Sequence, residues 1–249
     1  VGREHLEQEF VDVIDNYMWE KWSLNNLHLA LNEVPHFKAA DKNPDIDKAL
    51  FYILGFECVK ELTDYYDAIM AGKLPESFGL TCTFPSVHDS YQAPAGKATA
   101  YISQMAPYDL SNGGKEKWYR REFRAARAEQ MIDLVSRYTT NTDRSRILAT
   151  YMTTPLDIEN KYANMVKGGY KQGAYHPLQM GYLRPNQDCS HYRTPIKNLY
   201  VGGASVAPGG MVIWGPGYNC ANAIAEDFGI EKWWSEPEMV TSAIEHGYI

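Results

Sequence analysis

The sequence carries no GxGxxG run, no GxxxxGK[ST] phosphate loop and no CxxC pair. The first absence excludes a complete dinucleotide-binding βαβ unit. The second removes the P-loop nucleotide hydrolases, and the third removes dithiol redox chemistry and the usual zinc knuckles. Cysteine occurs only at 58, 82, 189 and 220, with no histidine at zinc-like spacing and no metal-ligand cluster. Four scattered cysteines read as buried thiols of a reducing compartment, so the expected location is cytoplasmic, a membrane surface remaining open as a source of substrate. No apolar run approaches the ~18 residues that cross a bilayer, and no signal peptide is expected. Lysine and arginine form no cluster, and the net charge of −7 argues against nucleic acid. Repeats, low-complexity tracts and a Ser-His-Asp order are also missing.

What remains is 249 residues, 45% apolar and 22% charged, enough for a substantial core. Leu6, Phe10, Val13 and Tyr17 predict a helix over 3–22. Leu27, Leu29 and Leu31 alternate with His28, Ala30 and Asn32, which predicts a strand ended by Pro35. Asp45 is the expected cap of a following turn. The short apolar run ALFYILGF suits either a strand or a helix. Val59, Leu62, Tyr66 and Ile69 predict one apolar face of a helix stopped by Gly72 and Pro75. Asp64 and Asp67 with neighbouring lysines form its solvated face. FGLTCTF and KATAYISQMAPY read as strands, 115–138 as a helix, and RILATYMTTP as a further strand. PLDIENKYA begins a helix with Pro155 in its first turn, where a missing N–H is harmless. NLYVGG reads as a short buried strand, and 217–228 as a helix. The fold class expected is α/β (α+β): a mostly antiparallel sheet backed by helices, and a C-terminal strand, glycine-rich loop and helix.

That last stretch, LYVGGASVAPGGMVIWGPGYNCANAIAED, places Gly202, Gly203, Gly209, Gly210, Gly215 and Gly217 directly before a helix. Glycine lets a main chain approach a ligand closely, and a helix start offers unpaired N–H groups and a partial positive charge. The spacing is longer than a pyrophosphate cradle needs. A main-chain ledge along a large planar cofactor fits better, and a helix tip would stabilise negative charge on reduced flavin.

The stretch resembles the C-terminal flavin-contacting motif of the phytoene dehydrogenase-like FAD oxidoreductases, a family of carotenoid desaturases and isomerases and retinol saturases. YRTPIKNLYVGGAS is similar to the usual approach to that motif, and SLNNLHLALNEVPHF, APAGKATAYISQMAPY and TPLDIENKYANM resemble substrate-domain segments. The resemblance covers about residues 20–229. It implies FAD as cofactor and a division into a substrate-binding part (1–196), the C-terminal part of the FAD domain (197–229) and a tail (230–249). Carried over by position, Gly202, Gly203, Ala204 and Ser205 meet the ribityl and pyrophosphate part. Pro208, Gly209 and Gly210, followed by Met211 and Val212, form the ledge, and Gly217, Tyr218 and Asn219 lie at the helix start by the ring. Where the family has [ST]-H this chain has Val206-Ala207, and Met211, Ile213 and Trp214 replace smaller residues.

Since family chains are about twice as long and start with GxGxxG, the resemblance implies the C-terminal half of a flavoenzyme. Either a second chain carries the dinucleotide-binding half in a hetero-oligomer, or the protein has been processed. The strand at 198–203 would then join the partner's sheet, and the active site would lie between the substrate sheet and the flavin. The expected reaction is hydride transfer between a C–H or C=C group of an apolar or aromatic substrate and flavin. The alternatives are a non-catalytic stabilising or substrate-binding subunit and a redox-neutral isomerase. Tyr175, His176, Tyr182 and Arg184 bring proton donors and a cation into the loop before the motif and are the acid–base candidates. His28, on the face of its strand opposite the leucines, together with Ile213 and Trp214, are the substrate-pocket candidates. Eighteen tyrosines suit an aromatic or oxygenated ligand better than a bare polyene.

Overall fold

Alternation decides the central element. In the computed structural model, which describes residues 2–210 and 213–248, the leucines of the first long strand point into the core and the residues between them point the other way. In chain order the elements are α1 (Gln8–Asp15), β1 (Trp22–Leu31), β2 (Tyr52–Leu54), α2 (Val59–Met70), β3 (Leu80–Thr83), β4 (Ala98–Pro107), α3 (Arg121–Tyr138), β5 (Ile147–Thr153), α4 (Pro155–Lys161), α5 (Gly215–Phe228) and α6 (Glu238–Glu245), joined by short 3-10 turns. The fold is α+β. The chain divides into two compact units, 19–172 and the pair of segments 1–18 and 173–249.

The first unit is built on a five-stranded sheet of order β2-β3-β4-β1-β5, antiparallel throughout. One face carries Leu27, Leu29, Leu31, Leu80, Cys82, Ala100 and Ile102, buried with Met131, Ile132 and Val135 of α3. Burial of that apolar surface is the main force holding the unit together. On the other face the register sets His28 opposite both Tyr101 and Tyr151, and Asn26 opposite both Ser103 and Thr153. α4 follows β5 directly. Its start is a capping box, in which Thr154 and Asp157 each accept a hydrogen bond from the other's main-chain N–H. In the second unit α5 leaves from Trp214, whose φ of 58° is left-handed, and stops at Gly229 with φ 61°. Among the described residues no helix is long and apolar enough to cross a membrane.

Several local expectations are corrected. The helix expected over 3–22 shrinks to α1, because Trp22 already belongs to β1 and its ladder wins over local periodicity. Asn43, not Asp45, caps the turn at Pro44–Lys48: its side chain accepts from the Asp45 N–H. The 115–138 helix breaks at Arg120 into a 3-10 turn and α3. In α2 the buried face is Tyr65 and Ile69, while Val59 (77% exposed), Leu62 and Tyr66 lie outside. Tyr65 fixes that rotation by donating its hydroxyl to the Met105 carbonyl. The segment 198–203 is not a strand. It makes one isolated bridge, Arg193 to Tyr200, since no ladder partner is present within the described chain, and Leu199, Gly202 and Gly203 are exposed. Of the four cysteines, only Cys82 and Cys189 are buried. Cys58 is exposed at the start of α2, Cys220 is half-buried, and all four are free thiols.

Candidate functional site

The glycine-rich loop is shaped by side chains that seize its main-chain groups. Arg184 is fully buried. Its Nη2 and Nε donate to the Ala204 carbonyl at 2.7 and 3.1 Å, and its Nη1 donates to those of Ala174 and Gln179 at 3.2 and 3.4 Å. The guanidinium lies over the Tyr175 ring, 5.0 Å from its centroid. Tyr175 Oη in turn accepts the Gly210 N–H at 2.9 Å. Tyr17 donates to the Ser205 carbonyl at 3.4 Å, and burial pushes its phenol above the ordinary range against the opposing pull of Arg184. Tyr192 donates to the Ala207 carbonyl at 3.0 Å and accepts from Asn219 Nδ2 at 2.6 Å, which ties the loop to the first turn of α5. Val206, where the family has a polar residue, is buried.

The structure thus brings Tyr175 and Arg184 together, against the loop. The other two acid–base candidates lie apart from them: His176 is exposed and caps a 3-10 turn by accepting the Leu178 N–H at 3.2 Å, and Tyr182 is exposed with its ring edge toward His191. The glycines divide into two kinds. Gly209 is buried with φ +105°, and a methyl group there would sit 2.7 Å from Tyr175 Oη. At Gly210 it would sit 3.0 Å from Ala204 Cβ. Gly203 and Gly217 are exposed, and a methyl group at either would meet nothing within 4 Å among the described residues. At Gly202 it would meet the Cys220 side chain at 3.6 Å and the Pro216 carbonyl oxygen at 3.9 Å. Pro208 is exposed beside them. The first helical bond of α5 runs from Tyr218 N to the Trp214 carbonyl at 3.0 Å, so the earlier amides precede the ladder. Tyr218 donates its hydroxyl to Glu236 at 2.6 Å. Ile213 and Trp214, the latter 83% exposed, stand outside the packed loop. Met211 and Val212 lie outside the described residues.

His28 belongs to the other unit, in a groove of about 700 Å³ on the open face of its sheet. Its Nε2 is 3.3 Å from Thr153 Oγ1. Tyr101 meets the imidazole edge-on at 5.1 Å between centroids, and Tyr151 lies tilted at 6.0 Å. Burial lowers the His28 pKa and favours the neutral ring. Asn26, Tyr162 and Tyr170 are among the other residues that line the groove. Sequence reasoning found His28 and missed Tyr101, Tyr151 and Thr153. Their signal was parity: each shares the outward phase of its own strand, but only the register aligns the three phases.

No protein-family model matches the chain. It is similar to one of the subunits of limonene dehydrogenase from Castellaniella defragrans, 38% identical over 256 residues that include 100% of this chain and 46% of that protein. It is 26% identical over 209 residues to pyridine nucleotide-disulfide oxidoreductase domain-containing protein 2 of Mus musculus, covering 82% of this chain and 35% of the relative. With the 4,4'-diapophytoene desaturase (4,4'-diaponeurosporene-forming) of Staphylococcus haemolyticus it shares 29% identity over 148 residues, 59% of this chain and 28% of the desaturase. The chain spans less than half the length of these curated relatives.

Proposed function

Since the chain belongs to the phytoene dehydrogenase-like oxidoreductase family, we propose that it forms the substrate-binding and flavin-contacting half of an FAD-dependent dehydrogenase or desaturase. The observation that carries this reading is the open glycine backbone at 202, 203 and 217, beside the unladdered first amides of α5. A flat ligand could lie against Gly203 and Gly217, where no described side chain stands above the main chain, with the Cys220 side chain beside Gly202 at 3.6 Å. It does not fit over Gly209, where Tyr175 Oη fills the place. Gly202, Gly203, Ala204 and Ser205 would therefore hold the ribityl and pyrophosphate part, and Gly217, Tyr218 and Asn219 would present the helix tip to the ring. Pro208, Gly209 and Gly210 shape the ledge from below.

When bound, FAD would supply the ring that exchanges hydride with a C–H or C=C group of an apolar or aromatic substrate. This chain's own contribution is position. Arg184 and Tyr175 hold the loop through the Ala204 carbonyl and the Gly210 amide. The His28 groove offers the substrate an aromatic wall. In this reading 1–196 would supply the substrate part and 197–229 the FAD part, with Ile213 and Trp214 as further substrate-contact candidates. The GxGxxG half comes from a second chain or a preceding segment, and a cytoplasmic hetero-oligomer is the arrangement we favour. That one relative is named as a subunit, and that this chain matches less than half of it, supports the reading.

Co-expression with a GxGxxG-bearing half tests it. The complex should purify yellow, and Gly217→Leu should abolish flavin content while the chain stays folded. Unchanged flavin content in Gly217→Leu would remove this chain from the site. Stoichiometric FAD on the 249-residue chain alone would remove the need for the other half.

A further inference from the structure

The groove over the sheet shows more than a place for an apolar substrate. Asn26 is only 6% exposed. Its Oδ1 accepts the Ser103 hydroxyl at 2.7 Å, and the described residues give its Nδ2 no partner. That nitrogen is not among the sealed, unpaired polar atoms of the protein, so the amide opens on the groove it lines. Two residues along the same strand face, His28 is engaged through Nε2 with Thr153 and is walled by Tyr101 and Tyr151. Two charged residues line the groove, Asp157 and Lys161. Asp157 is held by Arg124 at 2.9 Å and by the Thr154 N–H and hydroxyl at 2.9 and 2.8 Å, and Lys161 sits exposed at the rim with Nζ 5.3 Å from the Tyr162 centroid.

We propose that this groove binds an uncharged, ring-bearing hydrocarbon with one hydroxyl or carbonyl oxygen, the oxygen hydrogen-bonded by Asn26 and His28 and the ring held among Tyr101, Tyr151 and Tyr162. The inference rests on the reading of His28 as a substrate-pocket residue and names the substrate class of that pocket. A bare hydrocarbon would strip water from the Asn26 amide and return no bond, whereas an oxygen restores it. A charged ligand would lose hydration, and the one unpaired charge among the described groove residues, the Lys161 ammonium, is exposed to solvent and screened, so it would return little to an anion and nothing to a cation. Aromatic walls grip a ring through edge and face contacts at little entropy cost. The neutral imidazole favoured by burial can donate to a carbonyl or accept from a hydroxyl.

Titration of the chain with benzyl alcohol, toluene and benzoate, read by ring-proton NMR, tests the assignment. Benzyl alcohol should shift the His28, Tyr101 and Tyr151 signals and bind about tenfold more tightly than toluene, with benzoate weaker than both. Asn26→Leu should bring benzyl alcohol down to the toluene level. His28→Phe should do so in part, and it serves as the readout if Asn26→Leu does not fold. Equal affinity for toluene and benzyl alcohol, tighter binding of benzoate, or shifts confined to other residues overturns the proposal, as does silence from all three probes. The assay needs no flavin. Binding as expected by a chain that assembles into no flavoenzyme leaves the groove assigned and the redox reading lost. A working flavoenzyme whose groove ignores benzyl alcohol has the opposite meaning.

Discussion

Arg184 grips the carbonyl of Ala204 with two of its nitrogens, Nη2 at 2.7 Å and Nε at 3.1 Å, from a position with no solvent exposure. The pair joins the loop before the motif to the motif itself, and three carbonyls share the cation. Arg184→Lys keeps the charge and loses the fork, so it should destabilise by about 2 kcal/mol, and Arg184→Ala by about 3 kcal/mol or more. Urea unfolding followed by near-UV circular dichroism measures both. A loss within about 0.5 kcal/mol for Arg184→Ala would mean the cage carries no weight.

Two glycines of one motif should respond in opposite directions. Gly217→Ala adds a methyl group to open space inside α5 and should leave stability unchanged or raise it by up to about 1 kcal/mol. Gly209→Ala meets both φ +105° and Tyr175 Oη at 2.7 Å and should cost about 2 kcal/mol or more. Thermal melts of the two variants side by side decide it. Equal melting temperatures would contradict the division of the glycines into open and packed.

The histidines set two opposite pH windows. Burial lowers the His28 pKa, so below about pH 6.5 the unfolded chain binds a proton that the fold refuses. Stability is therefore present above that value and falls with pH below it, and His28→Gln should flatten the fall. His36 behaves in reverse. Its hydrogen bonds to Asp47 (2.7 Å) and Asp41 (3.0 Å) raise its pKa. Its contribution is full below about pH 6.5 and disappears as pH rises through the folded value, a loss His36→Gln should remove. Proton NMR titration of the two rings should give midpoints on either side of the ordinary value.

Thiol reactivity should rank by burial. Cys58 is exposed and should react first with a disulfide reagent in the native protein, with half-buried Cys220 slower. Burial pushes the Cys82 thiol up to about 12 and, with Asp188 adding to it, the Cys189 thiol up to about 11, so both should stay silent until the chain unfolds. Mass spectrometry of timed samples reads the order. Early labelling of Cys82 would contradict the packing of β3 against the core.

Much of the fold is legible wherever one short-range rule dominates. The alternation of Leu27, Leu29 and Leu31 marks β1, Pro155 marks the start of α4, and the density of glycine before 217 marks a place where backbone must stay bare. Local pattern fails where two faces compete. Val59, Leu62, Tyr66 and Ile69 offer a convincing stripe on α2, yet of these only Ile69 is buried, together with Tyr65, whose hydrogen bond to Met105 sets the helix's rotation from outside it. In α3 the buried face includes Arg127, whose Nε donates to Gln104 at 2.8 Å, an arrangement invisible to hydrophobic periodicity. Segment 198–203 has strand composition, but a strand exists only as a pair, and among the described residues it makes one isolated bridge.

The amino-acid sequence alone determined the type of most long elements, the outward phase of His28 and the motif that carries the family resemblance, because each follows from neighbours a few residues apart. Tertiary structure decided which side chains share a place. Tyr101 and Tyr151 reach His28 only through the register of three strands, and Arg184 and Tyr175 became supports of the glycine loop only when distant carbonyls and amides closed around them. Such meetings depend on where hydrogen-bond partners far apart in the chain finally pair, and no local pattern encodes that.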